Sequence, residues 1–166
     1  HHQMRILDYN RVIKDMNGLS EPEFMARVAE SFMIEMADAA VKPEHPGEFG
    51  LYMNGRWTKL TIRPDLIPHD PVGRLDVSLL QNNLIAPILG IDDPRRDKRI
   101  DFVGGIRGLS ELEKRVDSGE MALALSLHPT GMEDLMAVAD ANEVMPPKST
   151  WFEPKLADGL ASHMLD

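Results

Sequence analysis

Residues 49–63 read FGLYMNGRWTKLTIR, and this stretch decides the fold because it predicts a β-hairpin. Asn54 and Gly55 lie between two runs of strand-forming residues, and this pair suits the positive φ angles of a type I′ turn. A two-residue turn pairs Tyr52 with Trp57 and puts alternate apolar residues on one face. That core face is expected to hold Phe49, Leu51, Met53, Leu60 and Ile62.

Tyr52 and Trp57 share the opposite face of the predicted hairpin. Two aromatic rings there form either a stacking platform for a ligand or a cross-strand pair that stabilises the hairpin. The register alone brings the two rings together, so the sequence favours the cross-strand pair.

Further strands are predicted from shorter apolar runs elsewhere in the chain. Residues 4–12 and 100–103 have strand-like composition, and residues 159–165 show a weaker version of the same pattern. Residues 121–127 are apolar almost throughout, which is typical of a central strand buried on both faces. Asn17-Gly18 predicts a turn after the first of these strands.

Three capping boxes predict the starts of three helices, because a serine or threonine lies three residues before a glutamate. The pairs are Ser20 with Glu23, Ser110 with Glu113 and Thr130 with Glu133. The first helix is expected to reach about residue 40, since apolar residues recur every four positions. These apolar residues are Phe24, Val28, Phe32 and Met36.

A fourth helix is expected through residues 77–88, with Asp76 as its cap. Pro87 should kink or end it, and Gly90 should stop it. Together these elements predict an α+β fold: one mixed, largely antiparallel sheet of about five or six strands, with about three or four helices packed on it. The expected domain is residues 3–166, with His1 and His2 as the remnant of a purification tag.

Composition narrows the classes of function. The 166 residues include 27 acidic and 18 basic side chains, which give a formal charge of −9. Nucleic acid and anionic membranes attract basic proteins, so neither is an expected partner. The chain contains no cysteine, which excludes thiolate chemistry and fits a reducing compartment; a cytoplasmic location is therefore expected. No histidine or carboxylate spacing predicts a metal site.

A glycine-rich stretch at residues 104–108 is the first candidate anion site. Gly104 and Gly105 follow a predicted strand and would let backbone N–H groups approach a phosphate, while Arg107 would clamp an oxygen. The spacing matches neither the dinucleotide fingerprint nor the P-loop. The alternative is a tight strand-to-helix connection whose glycines supply unusual backbone angles.

Residues 145–155 are the second candidate, because their prolines forbid regular helix. Lys148, Ser149 and Thr150 would form a positive, hydroxyl-rich anion site in this acidic protein. The alternative is a covering segment that presses its two aromatic residues on the core and leaves both lysines in water.

Two weaker candidates complete the search. In the charged run 92–101, Asp97, Arg99 and Asp101 share a face and are either solvated or able to order the neighbouring glycine loop. His128 follows the apolar strand and is either a base or a hydrogen-bonded structural residue.

Several long strings in the chain resemble one protein family. They are residues 6–15 (ILDYNRVIKD), 76–82 (DVSLLQN), 97–108 (DKRIDFVGGIRG), 116–120 (VDSGE), 134–140 (DLMAVAD) and 145–156 (MPPKSTWFEPKL). The chain resembles the C-terminal part of a widespread prokaryotic family of unknown function, number 1015. Members usually carry an additional N-terminal part with an Asp-Gly-His-His-Arg motif, which is absent here.

The resemblance implies a small-molecule kinase acting on serine or a related alcohol, with Mg-ATP as the phosphate donor of the full-length protein. Gly104, Gly105, Arg107, Lys148 and Ser149 would then help to hold a phosphate, and the general base would lie in a missing N-terminal domain. The other hypothesis is a non-catalytic domain that packs on that N-terminal domain or forms a homodimer. An exposed apolar patch would indicate this second function.

Overall fold

The computed structural model describes residues 5–7, 9–144, 146 and 151–153. Its strands are β1 (Arg5–Leu7), β2 (Tyr9–Ile13), β3 (Phe32–Ala37), β4 (Glu48–Met53), β5 (Arg56–Ile62), β6 (Ile100–Gly104), β7 (Leu123–Leu127) and β8 (Trp151–Glu153). Its α-helices are α1 (Glu21–Val28), α2 (Asp76–Leu80), α3 (Leu109–Asp117) and α4 (Met132–Asp140). The predicted α+β class is confirmed.

Six strands form one antiparallel sheet in the order β3-β5-β4-β7-β2-β6. β1 and β8 pair separately, also antiparallel. The apolar strand β7 lies inside the six-stranded sheet with all five residues buried, so the prediction of a central strand is confirmed. The sheet is therefore antiparallel throughout the described residues rather than mixed.

The predicted hairpin is formed by β4 and β5 in the expected register. Met53 pairs with Arg56 and Tyr52 pairs with Trp57. Asn54 and Gly55 have φ angles of 53° and 74°, as a type I′ turn requires. All five residues predicted for the core face belong to the larger core cluster.

Helices cover both faces of the sheet. Phe24 of α1, Leu80 of α2 and Val138 of α4 join the larger core on one face. Leu112 and Val116 of α3 join a smaller core on the other face. The sheet thus lies between two helical layers, which buries its central strands on both sides.

The smaller core includes Tyr52 and Trp57, which are 6% and 4% exposed. Their ring centroids lie 5.1 Å apart. The Tyr52 hydroxyl donates to Asp117 at 2.8 Å, and the Trp57 indole N–H donates to Glu113 at 2.6 Å. The hydrogen bond to Asp117 raises the pKa of Tyr52 to about 12. The cross-strand pair is confirmed, and its burial leaves no accessible stacking platform.

The predicted first helix is wrong in its length. The Ser20–Glu23 capping box forms as expected, but α1 ends at Val28. Phe32 to Ala37 is instead the edge strand β3, which pairs with β5. The helix residues Phe24 and Val28 and the strand residue Phe32 are all buried. Their four-residue spacing therefore continues past the end of α1, and the sequence pattern does not reveal the change from helix to strand.

The other two predicted capping boxes are wrong. Helix α3 begins at Leu109 after Gly108, and α4 begins at Met132 after Gly131, in both cases without a side-chain cap. Ser110 therefore lies inside α3 rather than before it. Glu113 is instead engaged by Trp57, so tertiary contact replaces the local motif.

The predicted helix after Asp76 exists but is not uniform. α2 passes into a π-helix at Gln81–Ile85, and the chain turns at Gly90 with a φ of 73°. Asp76 does not cap this helix, because Leu75 occupies the cap position. The Asp76 carboxylate accepts a hydrogen bond from the Gly47 N–H instead.

Parts of two predictions lie outside the described residues. The non-helical segment 145–155 is described only at Pro146 and in β8, and the tail strand at 159–165 is not described. Among the described residues, no helix has both the length and the apolar character needed to cross a membrane.

Candidate functional site

The glycine-rich stretch joins β6 to α3. Gly104 ends β6, Gly105–Arg107 forms one 3₁₀ turn, and Gly108 precedes α3 with a φ of 78°. That positive φ is the unusual backbone angle expected of a tight connection. The turn leaves the Arg107 side chain exposed and without an ion-pair partner among the described residues.

Arg107 lines a cleft of about 420 Å³, which we call the Arg107 cleft. Its wall includes Gly104 from the glycine loop and Pro94 and Arg95 from the charged run. Arg95 is paired with Asp93 at 3.3 Å, and both side chains are well exposed. Two guanidinium groups therefore border this cleft, together with carboxylates of Asp97 and Asp101.

A neighbouring cleft of about 620 Å³, the Arg11 cleft, shares Pro94 and Arg95 with the Arg107 cleft. Pro146, the described residue of the second candidate loop, lines the Arg11 cleft. The two candidate loops thus contribute to adjacent clefts. Lys148, Ser149 and Thr150 lie outside the described residues, so their predicted role stays a prediction.

Arg11 itself is 4% exposed. Its guanidinium lies 5.0 Å from the centre of the Phe102 ring and donates to the Tyr9 carbonyl at 2.6 Å. Burial lowers the pKa of Arg11 to about 10, so the group is still charged at neutral pH. Arg11 therefore places a buried charged group at the wall of the Arg11 cleft.

The charged run does not order the glycine loop. Arg99 pairs with Asp97 at 2.9 Å and donates to the carbonyls of Leu89 and Gly90. Asp101 pairs with Arg115 of α3 at 3.0 Å. These contacts hold the turn after the π-helix and the end of α3, so the proposed effect on the loop is not seen.

A third cleft, of about 490 Å³, lies beside α2 and the start of α4, and we call it the Asp76 cleft. Its residues come from four separate parts of the chain. The lining is Pro46, Gly47, Ile67, Arg74, Leu75, Asp76, Leu79, His128, Pro129, Thr130, Gly131, Met132, Glu133 and Asp134. The sequence marks His128 as a candidate base, whereas it predicts only a helix cap for Asp76.

Asp76 is electrostatically unusual. Its pKa is raised to about 7, mainly by burial and also by the charges of Asp134 and Glu48, against the lowering effect of the Gly47 N–H. The Asp76 Oδ1 atom accepts that N–H at 2.9 Å. Strongly shifted carboxyl groups in clefts are candidate functional groups. No local sequence pattern shows this shift, because the neighbours that cause it are remote along the chain.

Thr130 is 8% exposed and lines the same cleft. Its hydroxyl has no hydrogen-bond partner among the described residues, yet no described side-chain oxygen is fully enclosed without a partner. The hydroxyl therefore retains some contact with solvent.

Residues 1–78 match the family model DUF1015, proteins of unknown function. The resemblance seen in the sequence is confirmed for this part of the chain, which includes the string at residues 6–15. Among curated proteins, none matches this sequence.

Solved structures share the fold. A free serine kinase in complex with AMP matches with a TM-score of 0.54 and 14% identity, over 90% of this chain and 54% of that chain. A conserved hypothetical protein from Pyrococcus furiosus matches with a TM-score of 0.53 and 16% identity, over 90% of this chain and 56% of that one. The chain spans about half the length of these structures, and at such identity the likeness concerns the fold.

Proposed function

We propose that this chain is part of a nucleotide-dependent phosphotransferase that acts on serine or a related small alcohol. The observation that carries the proposal is the shared fold with a free serine kinase solved with AMP, over 90% of this chain. The DUF1015 match is compatible with this function, because that family has no assigned activity to contradict it.

The Arg107 and Arg11 clefts supply positively charged side chains that can bind phosphate groups. Phosphoryl transfer depends mainly on positioning and on neutralising negative charge, for which arginine is well suited. Arg107 is exposed at the end of a 3₁₀ turn, and Arg95 lies between the Arg107 and Arg11 clefts. We assign the phosphate groups to the Arg107 cleft, with Gly104 and Gly105 allowing close approach of the backbone.

The metal site, further phosphate ligands and the general base of the proposed enzyme are assigned to residues outside the described part of the chain. No group of histidine, aspartate and glutamate side chains in the described part of the chain could hold a metal ion. We therefore derive no magnesium-dependent step from these residues. Lys148, Ser149 and Thr150 remain proposed phosphate ligands, and the general base is proposed to lie in an N-terminal domain.

The test is calorimetric titration of the chain with Mg-ATP, Mg-ADP and inorganic phosphate at low salt. We expect saturable nucleotide binding that weakens about tenfold in Arg107→Gln, equivalent to ~1.4 kcal/mol. The matched control is Arg56→Gln, which removes an exposed arginine from the hairpin turn, where it pairs with Glu21. This control should bind nucleotide as the unaltered chain does.

Equal affinity of Arg107→Gln and the unaltered chain would overturn the assignment of the phosphate to the Arg107 cleft. Absence of heat with all three ligands would favour the alternative, a non-catalytic interaction domain. One observation supports that alternative: the edge strand β3 exposes Met33, Ile34 and Met36, the last to 70%. An N-terminal domain or a second copy of the chain is the proposed partner for this strand.

A further inference from the structure

We propose that β3 is the contact surface between two copies of this chain, which join their β3 strands antiparallel around a twofold axis into one continuous sheet. β3 is an outer strand of the six-stranded sheet and pairs with β5 alone. The Arg107 cleft lies at the other outer strand, β6. The contact between copies therefore does not depend on the proposed nucleotide site.

The backbone of β3 directs hydrogen-bonding groups outward from the sheet. The Arg63 N–H donates to the Ser31 carbonyl at 3.0 Å, which fixes the alternation of the ladder between β3 and β5. Residues at odd positions of β3 therefore direct their N–H and C=O groups toward β5. Residues at even positions direct theirs outward, and these are Phe32, Ile34 and Met36. No described strand pairs with that side of β3.

The side chains of the same three residues form an apolar strip that the core covers only in part. They point to the face of the larger core, because Phe32 belongs to that core and side chains alternate along a strand. Phe32 is fully buried, whereas Ile34 is 36% exposed and Met36 is 70% exposed. An exposed apolar edge strand is a typical site for pairing with a further strand.

The opposite edge of the sheet is protected against such pairing. The Lys14 N–H donates to the Arg99 carbonyl at 2.7 Å, so Phe102 of β6 directs its N–H away from β2. That outward N–H donates to the Asp101 carboxylate at 2.8 Å. Charged side chains at an edge are a common means of preventing association. β3 has one charged residue, Glu35, and its outward N–H groups have no such acceptor among the described residues.

The outer edge of β3 is complementary to a second copy of itself in one register. Hydrogen bonds form only when residues with outward backbone groups lie opposite one another. All three residues pair when Ile34 lies opposite the same residue of the second copy, because Phe32 then lies opposite Met36 in both directions. Each opposed pair exchanges both of its N–H···O bonds. A shift in either direction leaves outward groups of one end unpaired.

The same register keeps like charges apart and covers the exposed apolar side chains. Glu35 lies opposite Met33 of the second copy. A register centred on Glu35 would instead place two carboxylates opposite each other, which is destabilising. On the core face, Ile34 packs against its own counterpart, and Met36 packs beside Phe32 of the second copy. The uncovered apolar strip of each copy is thereby buried by the other.

A second copy fits this edge better than a domain that precedes the described residues. Such a domain would join the fold near β2, which lies four strands from β3 in the sheet. At about 4.8 Å per strand, this separation is about 19 Å. A twofold pairing needs no other chain, since each strand supplies the complement of the other. Because β6 is protected, the assembly ends at two copies.

The test is sedimentation equilibrium of the chain at neutral pH. We expect the average mass to rise from 18.6 kDa toward twice that value between about 5 and about 500 µM, by mass action. One strand pair is a small interface, so the association should be weak and depend on concentration. A mass that stays at 18.6 kDa over this range would overturn the proposal, as would growth beyond a dimer.

Two matched methionine substitutions locate the contact. Met36→Lys places a charge on the exposed part of β3 and should weaken dimerisation at least about tenfold. Met136→Lys makes the same change on α4, where the side chain is 59% exposed, and should leave dimerisation unchanged. Urea unfolding of both variants verifies that the fold of the monomer is retained. Equal dimerisation of the two variants would contradict a contact at β3.

Disulfide cross-linking tests the register. The chain contains no cysteine, so a single introduced cysteine forms a disulfide only between two copies. Ile34→Cys should cross-link faster than Glu35→Cys, because opposed Cα atoms lie about 5.5 Å apart, within disulfide range, only at position 34. Met136→Cys is the control for random collision. Faster reaction of Glu35→Cys would refute the register, and equal rates for Ile34→Cys and Met136→Cys would refute the contact.

The outcomes are independent of nucleotide binding. Arg107→Gln should dimerise as the unaltered chain does, and Met36→Lys should bind nucleotide as the unaltered chain does. Failure of the proposed dimer is therefore distinguishable from failure of the proposed phosphotransferase.

Discussion

At the scale of single residues, Asp76 shows how the fold can make the ionisation of a carboxyl group unfavourable. A carboxyl group has an ordinary pKa of 3.8, and burial raises that of Asp76 to about 7. The folded chain therefore binds this proton more tightly than the unfolded chain does. Since ionisation is easier after unfolding, the Asp76 contribution to the free energy of unfolding decreases as pH rises from about 4 to about 7.

Replacement of Asp76 by Asn should remove this pH dependence while it keeps the acceptor for Gly47. We expect Asp76→Asn to become progressively more stable than the unaltered chain from pH 4.5 to pH 8, by at most ~4 kcal/mol. Urea unfolding at pH 4.5, 6 and 8 measures the difference. Asp65→Asn, at an exposed carboxyl in the 3₁₀ turn, is the control. A stability difference that is constant with pH would contradict the shifted pKa.

At the scale of helices and strands, a motif works only where tertiary contacts do not compete with it. Ser20 and Glu23 make both hydrogen bonds of a capping box, at 3.3 and 2.9 Å, on an exposed helix end. Ser110 has the same sequence relationship to Glu113, but the Trp57 indole holds that glutamate. The helix start then moves to Leu109, where Gly108 permits the positive φ that precedes it.

This difference predicts unequal effects of two matched serine substitutions. Ser20→Ala should lower the free energy of unfolding by about 1 kcal/mol, because it removes the cap of α1. Ser110→Ala should change it by less than about 0.5 kcal/mol or stabilise α3 slightly, since alanine is the better helix former. Urea unfolding of both variants provides the comparison. Equal losses would mean that Ser110 has a capping role after all.

At the scale of the whole molecule, three parts of the chain that are remote in sequence meet closely around Gly50. A Cβ atom at this position would lie 2.8 Å from the Val41 carbonyl oxygen and 2.9 Å from the Trp57 ring, and closer still to the Ser126 hydroxyl. Ser126 is fully buried and donates to that same Val41 carbonyl at 2.8 Å. The Val41 backbone, the Ser126 hydroxyl and the Trp57 indole thus leave no room for a side chain at position 50 of β4.

Gly50→Ala should therefore be strongly destabilising. We expect a loss of about 3 kcal/mol, because neither the Val41 backbone nor the buried indole can move aside at low cost. The control is Gly131→Ala, where a Cβ atom would meet nothing within 4 Å and the loss should stay below about 1 kcal/mol. Thermal or urea unfolding tests the pair. Similar stability of the two variants would contradict the close packing at Gly50.

The sequence by itself determined the features that depend on neighbours along the chain. The hairpin of β4 and β5 follows from Asn54-Gly55 and strand alternation, and the Ser20 cap follows from one local motif. The buried strand β7 follows from its continuous apolar run. The glycine-rich sequence also predicts a tight connection before α3, and Gly108 supplies the positive φ of that connection.

Only the tertiary structure decided features that depend on residues remote in sequence. Phe32 fits the apolar spacing of α1, but hydrogen bonding to β5 makes it part of a strand. The shifted pKa of Asp76 arises from burial and from Glu48 and Asp134, which lie on other elements. Local patterns fix backbone preference and side-chain alternation, whereas pairing between distant strands and the loss of water around a carboxyl group exist only after the chain has folded.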